Sequence, residues 1–106
     1  DYVDHDGHEE EIEYDEHIWT SPVNAMKITQ VITDTLQEMD PADADIFAAN
    51  AEDYLGKLEN LDQEFRDVVN GADLDLIVMA DKFPLRYFAD TYGLRYRAVF
   101  RLRLRH

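Results

Sequence analysis

The residues best suited to chemistry are the histidines and carboxylates near the start of the chain. Residues 1–17 contain His5, His8 and His17, nine of the 24 acidic residues, and no Lys or Arg. Imidazole and carboxylate groups are the usual protein ligands of zinc and manganese. His17 is therefore a candidate metal ligand, and the alternative is a polar loop residue. Asp81, which ends a predicted strand, is a second candidate, and the alternative there is a helix cap.

The first fifteen residues are predicted to form an acidic, histidine-containing loop. The segment "DHDGHEEEIEYDEH" has no ligand spacing typical of a structural zinc motif. His5 and His8 are therefore expected to collect metal ions only weakly, because a loop loses conformational entropy when it coordinates. The alternative is a solvated acidic loop that binds no metal.

Composition excludes several classes of function. The chain has 106 residues and a formal net charge of −14, which argues against nucleic acid and anionic membrane surfaces as partners. It has no cysteine, so thiolate metal sites and disulfides are excluded. A Gly-rich phosphate loop is absent and Ser21 has no neighbouring base, so we do not expect an enzyme. Because the chain starts at Asp1 without a Met or signal peptide, we expect a piece of a longer protein.

Two helices are predicted after the acidic loop. Ser21-Pro22 is typical of a helix start, with a hydroxyl N-cap followed by Pro at the first helical position. Apolar residues then recur at helical spacing as far as Met39, and Asp40-Pro41 ends this helix and caps the next. The second helix runs from about Pro41 to Asn70 and ends at Gly71. The short segment "HIWT" before the first helix could be a brief strand.

The second helix carries a heptad pattern. Its apolar residues are spaced alternately by four and three positions: Phe47, Ala51, Tyr54, Leu58, Leu61, Phe65 and Val68. Such a seam can indicate a coiled coil. We favour a long helix that lies across a larger body with one stripe buried, because the flanking segments do not resemble a coiled coil.

The remaining residues predict a strand, a helix and a second strand. "LDLIVMA", residues 74–80, is an apolar run typical of a buried strand. A helix is expected from Lys82 to Tyr92, with Asp81 as its N-cap and Gly93 closing it, and "LRYRAVF", residues 94–100, is the next strand. Two strands joined by one helix are expected to be parallel. The fold class is therefore α/β.

The end of the chain alternates apolar residues with arginine. Residues 95–106 contain five of the ten basic residues and no acid. This pattern predicts an amphipathic edge strand, whose exposed edge would favour self-association. The alternative, which we favour, is that "RLRLRH" is the end of a truncated or frameshifted reading frame.

The segment "EHIWTSP", residues 16–22, resembles the Asp-Pro-His-x-Trp-x-x-Pro motif of the zinc and manganese solute-binding proteins of bacterial ABC importers. The resemblance extends over about residues 8–100, and "YFADTYGL" looks like the helix of the family's second lobe. It implies an extracytoplasmic receptor, in the periplasm or lipid-anchored at the cell surface, that binds Zn²⁺ or Mn²⁺ and delivers it to a membrane permease. His17 corresponds to a metal ligand, and His5 and His8 to the family's variable His-rich loop.

The resemblance also implies an organisation and a ligand set. Residues 1–15 would be the loop, 16–40 the end of the first lobe (a short strand plus a helix), 41–71 a long linking helix, and 72–106 the start of the second lobe. The family site usually combines three histidines and one carboxylate from both lobes. Lys82 stands where the third histidine is expected, which leaves Asp81 as the local candidate. The first histidine would lie upstream of Asp1 and the carboxylate beyond residue 106.

A different class of function also fits the pattern. The heptad seam and the incomplete ligand set are consistent with a helical interaction or self-association module that has no metal site. A folded metal site should raise the melting temperature as the metal concentration exceeds its Kd. An interaction module should instead show a melting temperature that depends on protein concentration.

Overall fold

The computed structural model describes residues 15–98 and has a helix-rich α/β fold. Its elements are a 3-10 helix at Ile18–Thr20, helix α1 at Pro22–Met39, a 3-10 turn at Pro41–Asp43, helix α2 at Ala44–Asn70, strand β1 at Leu76–Met79, helix α3 at Arg86–Tyr92 and strand β2 at Arg95–Ala98. The predicted fold class is confirmed. No helix among the described residues is long and apolar enough to cross a membrane.

Helix α1 begins where the sequence predicts. The Ser21 hydroxyl accepts a hydrogen bond from the Asn24 backbone N–H at 3.2 Å, and Pro22 occupies the first helical position. The brief strand expected at "HIWT" is wrong. Both the N–H and the hydroxyl of Thr20 donate to the His17 carbonyl, at 3.1 and 2.8 Å. These bonds close a tight turn, which satisfies the local polar groups without a neighbouring strand.

Helix α1 ends at Met39, and the N–H of the following residue, Asp40, donates to the Leu36 carbonyl at 2.9 Å. Helix α2 starts three residues later than expected, because Pro41–Asp43 first forms a 3-10 turn. The predicted capping by Asp40 is also wrong, since its side chain makes no capping hydrogen bond. Instead, the Gln37 amide crosses the turn and donates to the Ala44 carbonyl at 3.0 Å. The connection between α1 and α2 is therefore short, and the two helices pack along each other.

The buried stripe of α2 differs from the predicted seam. Tyr54, Leu61 and Val68 are exposed by 52%, 39% and 69%. The residues that are at least partly buried at helical spacing are Phe47, Ala51, Leu55, Leu58, Asp62, Phe65 and Val69. An α-helix has 3.6 residues per turn, so a pattern repeating every 3.5 residues drifts off one face. The stripe also contains the acidic residue Asp62, which cannot be found from the spacing of apolar residues.

Strands β1 and β2 form a parallel pair joined by α3, as predicted. Leu76 pairs with Arg95 and Met79 with Ala98. The expected burial of residues 74–80 is wrong, because Leu74 is 80% and Val78 63% exposed. Within residues 15–98 the sheet has two strands, and only one of its faces is partly covered. The predicted continuation of β2 through the arginine-rich end lies outside the described residues.

Helix α3 is shorter than predicted at its start. It begins at Arg86, not Lys82, since Pro84 disfavours helical geometry at Phe83. Asp81 is therefore not the N-cap, and its carboxylate accepts a hydrogen bond from the Lys82 N–H at 2.7 Å. Gly93 closes the helix as predicted. Its φ of 71° lies in the left-handed region that glycine adopts without strain.

The core lies where α3 packs on α2. Leu58, Ala89 and Tyr92 are its buried apolar residues. The rings of Phe65 and Phe88 meet edge to face, with centroids 4.8 Å apart, and the Tyr92 ring packs against both. The Tyr92 hydroxyl donates to Asp62 Oδ1 at 2.7 Å. This aromatic cluster fixes α3 on α2, and α3 in turn contacts the segment that carries His17.

Candidate metal site

His17 lies directly before the 3-10 helix and is paired with a carboxylate. Its ring Nδ1 is 2.9 Å from Asp15 Oδ1, and its backbone N–H donates to the same oxygen at 2.9 Å. The hydrogen bond from the His17 backbone N–H to the Asp15 carboxylate therefore forms an Asx turn. The side chains of His17 and Asp15 are 37% and 18% exposed. The pair is ordered by local contacts yet open to ions from solvent.

The hydrogen bond to Asp15 selects one form of the imidazole. In a neutral ring it favours the proton on Nδ1, which leaves the lone pair of Nε2 available to a cation. Metal-binding histidines commonly donate their other ring N–H to a carboxylate in this way, which fixes the ring and makes it a stronger ligand. The arrangement around His17 therefore fits a divalent metal ion bound at Nε2.

The Asp15 carboxylate is held in its ionised form. Burial acts to raise its pKa, but hydrogen bonds from the backbone and side chain of His17 outweigh this effect. Coulombic interactions with the His17 ring and the Arg86 guanidinium also act to lower it, and the net pKa of Asp15 lies below its ordinary value. An ionised carboxylate is the form that accepts from an imidazole N–H or binds a cation.

A second carboxylate lies beside this pair. Ligand atoms of Asp15, Glu16 and His17 lie within 4.8 Å of one another, and Glu16 is exposed. Two ligands of a tetrahedral zinc ion are about 3.4 Å apart, so small side-chain rotations could bring these groups onto one ion. One imidazole and two carboxylates form a hard-to-borderline donor set suited to Zn²⁺ or Mn²⁺. While Asp15 is paired with the His17 Nδ1, the donors left for an ion are His17 Nε2 and the Glu16 carboxylate, so a four-coordinate site needs further ligands.

Two side chains of helix α3 form hydrogen bonds to the segment from Asp15 to Ser21. The Tyr87 hydroxyl donates to the Asp15 backbone carbonyl at 3.1 Å, and the Oγ atoms of Thr91 and Ser21 are 2.7 Å apart. Trp19 packs near His17, with ring centroids 5.4 Å apart.

Sequence reasoning singled out none of Asp15, Glu16 or Tyr87. A signal for Asp15 was available, because the Asp of the Asp-Pro-His motif falls on this residue, two positions before His17.

The other predicted ligands are not brought to His17 in the described part of the chain. Asp81 is exposed, and it is not a member of the group formed by Asp15, Glu16 and His17. Its role as a ligand stays a prediction. His5 and His8 lie outside residues 15–98, so their predicted collection of metal ions also stays a prediction.

The chain matches the family model described as ZnuA, zinc-uptake complex component A, periplasmic, over residues 1–103. It is 38% identical over 80 residues to the manganese-binding lipoprotein MntA of Halalkalibacterium halodurans, which covers 74% of this chain and 27% of that protein. It is 35% identical over 98 residues to the zinc-binding lipoprotein AdcA of Streptococcus pneumoniae strain R6, which covers 91% of this chain and 19% of that protein. The chain thus spans between about a fifth and a quarter of the length of these relatives.

Solved structures show the same similarity. The Zn(II)-bound ZnuA-like domain of Streptococcus pneumoniae AdcA superimposes with a TM-score of 0.75 at 33% identity, covering 80% of this chain and 32% of that one. The metal-dependent lipoprotein YcdH of Bacillus subtilis gives a TM-score of 0.76 at 30% identity, covering 79% and 31%. The described elements therefore have the arrangement of a segment of these proteins.

Proposed function

This chain belongs to the family of the zinc-uptake component ZnuA, and on that basis we propose that it is part of an extracytoplasmic receptor for Zn²⁺ or Mn²⁺. The receptor sequesters the ion and delivers it to the permease of an ABC importer, and it catalyses no reaction. The family description names a periplasmic component, and the relatives are named as metal-binding lipoproteins. These names support a location in the periplasm or at the cell surface.

One observation carries the assignment of the ligand. His17 has its Nδ1 paired with the Asp15 carboxylate at 2.9 Å, which directs Nε2 to a cation. In this proposal His17 donates Nε2 to the ion, Asp15 orients the ring, and Glu16 neutralises part of the cation's charge. Because His17 and Glu16 do not complete a tetrahedral site, we propose that further ligands in the whole receptor complete it, with Asp81 as one candidate.

A competitive zinc titration tests the proposal. The chain is compared with His17→Ala, with the His5→Ala/His8→Ala double variant, and with His106→Ala as a matched loss of one imidazole. We expect His17→Ala to abolish the tightest binding event, and the other two variants to keep it. If the double variant removes all binding while His17→Ala changes nothing, the acidic loop alone binds metal and the assignment is wrong.

Thermal unfolding gives an independent measure of the same site. A ligand that binds only the folded chain stabilises it by about 2.7 kcal/mol at one hundred times its Kd. Zinc should therefore raise the melting temperature of the parent, and His17→Ala should remove this increase. The rival interaction module would instead show a melting temperature that depends on protein concentration and is indifferent to zinc. Self-association through the C-terminal strand, which the sequence also suggests, would make the melting temperature depend on concentration under either function. It is therefore measured separately by light scattering, and the response to zinc distinguishes the two functions.

A further inference from the structure

We propose that helix α3 positions the metal-binding segment, with Tyr87 and Thr91 holding it on either side of His17. The inference rests on the proposed function, because it assumes that His17 binds the ion. Tyr87 and Thr91 are four residues apart and therefore lie on the same face of α3. Neither side chain is a metal ligand in this proposal. Each acts through backbone or side-chain atoms of the segment from Asp15 to Ser21.

The first contact holds the backbone before His17. The Tyr87 hydroxyl donates to the Asp15 carbonyl oxygen at 3.1 Å, across 72 positions of sequence. The side chain of Asp15 is the group that pairs with the His17 ring. Because this hydrogen bond restrains the backbone of Asp15, it also restrains the position from which the carboxylate side chain extends. This carboxylate also receives the His17 backbone N–H, so one tyrosine contact stabilises the whole turn.

The second contact holds the segment after His17. Ser21 is fully buried, and its Oγ lies 2.7 Å from that of Thr91. Thr91 Oγ1 is also 2.7 Å from the Tyr87 carbonyl, and a hydroxyl has one proton to donate. All groups are satisfied if Ser21 donates to Thr91 and Thr91 donates to the carbonyl. Ser21 still accepts from the Asn24 N–H, so the same serine caps α1 and joins it to α3.

The two contacts have an energetic consequence for metal binding. When only a fraction of the protein molecules have the binding-competent conformation, the apparent affinity for the metal ion is reduced by that fraction. With both contacts present, the Asp15–His17 pair is pre-organised for metal binding. Without the Tyr87 contact, the local hydrogen bonds of Asp15 alone restrain this peptide, and fewer molecules present Nε2 to the ion. Loss of such supporting contacts typically lowers metal affinity about 10- to 100-fold.

The experiment compares Tyr87→Phe with Tyr54→Phe, which makes the same chemical change at an exposed position of α2. Thr91→Val removes the second hydroxyl, and Thr91→Ser restores it. Zinc affinity is measured by competition. The tautomer of the metal-free His17 ring is measured at pH 8 by long-range ¹H–¹⁵N NMR. We expect Tyr87→Phe to weaken zinc binding about tenfold and to lower the share of the Nδ1–H tautomer.

Tyr54→Phe and Thr91→Ser should behave as the parent, and Thr91→Val should weaken binding in the same direction as Tyr87→Phe. Parent-like zinc affinity and tautomer in Tyr87→Phe overturn the inference. His17→Ala is titrated in the same series. If it loses zinc binding while Tyr87→Phe does not, only the positioning role fails. If His17→Ala binds zinc as the parent does, the proposed function fails and the positioning role with it. Should Tyr87→Phe not fold, the Thr91→Val and Thr91→Ser pair decides the same question.

Discussion

Replacing Tyr92 by Phe should destabilise the chain by about 2 kcal/mol at pH 7.5. The change removes a 2.7 Å hydrogen bond to Asp62, whose side chain is 14% exposed and whose other oxygen is 3.1 Å from Arg66 Nε. A hydrogen bond to a charged group contributes about 1.5–3 kcal/mol. We expect a value in the lower half of this range, because Asp62 keeps Arg66 as a partner.

The same hydrogen bond predicts a characteristic dependence on pH. Burial, the hydrogen bond to Asp62 and the Asp62 charge together raise the pKa of Tyr92 far above its ordinary value of 10.0. A group whose pKa is raised on folding stabilises the fold below its unfolded pKa, and this stabilisation is lost as the pH rises further. Above pH 10 the advantage of the parent over Tyr92→Phe should therefore shrink by about 1.4 kcal/mol per pH unit.

Urea unfolding followed by circular dichroism measures both effects. A gap of about 2 kcal/mol should close between pH 10 and about pH 11.5. The other tyrosines titrate in both proteins, so the difference between the two proteins isolates Tyr92. Tyr54→Phe, at an exposed site, should cost less than about 0.5 kcal/mol. A gap that stays constant from pH 7.5 to pH 11 would refute the argument, as would a gap below about 0.5 kcal/mol at pH 7.5.

Four further substitutions test local features of the fold. Ser21→Ala should cost at least about 1 kcal/mol in urea unfolding, because it removes the cap of α1; an unchanged midpoint would contradict this. Asp15→Asn should be destabilising at neutral pH, and an acid titration should show the difference fading below the ordinary pKa of 3.8, since the pKa of Asp15 is lowered on folding; a difference that persists at pH 2 would exclude the pairing with His17. Gly93→Ala should cost about 1–2 kcal/mol because of its left-handed φ, whereas Gly56→Ala, in the interior of α2 with open space around it, should stabilise by about 1 kcal/mol; thermal unfolding of the pair measures the contrast.

The sequence predicts the ends of the helices well where the signal is local. Ser21-Pro22 starts α1 and Gly93 ends α3, because one side chain or one φ angle suffices to determine each boundary. Asp81 was expected to cap a helix, and this failed since Pro84 delays the helix start. The effect of Pro84 is also local, so the sequence contained the information needed to correct the prediction.

The surroundings of His17 could not be predicted in the same way. Asp15 is near His17 in sequence and stands at the Asp position of the motif, but the motif does not show that its carboxylate pairs with the His17 ring. Tyr87 is 72 positions away from Asp15, and its role depends on how α3 packs on α2. The sequence could therefore indicate the ligand through a motif, whereas the contacts that orient it follow only from tertiary structure.

Asp62, the acidic residue in the buried stripe of α2, has a consequence for how α3 aligns on that helix. The rings of Phe65, Phe88 and Tyr92 could pack favourably in several offsets along the helix, because apolar contact has little directionality. Asp62 is paired with Arg66 on its own helix, whereas the Tyr92 hydroxyl of α3 reaches Asp62 in only one alignment. A slip of α3 by one helical turn would remove the Tyr92 hydrogen bond, so Arg66 alone would compensate a carboxylate that is mostly buried. This single carboxylate therefore favours one alignment of α3 among several of similar apolar contact, and the orientation of His17, 45 residues earlier in sequence, depends on that alignment.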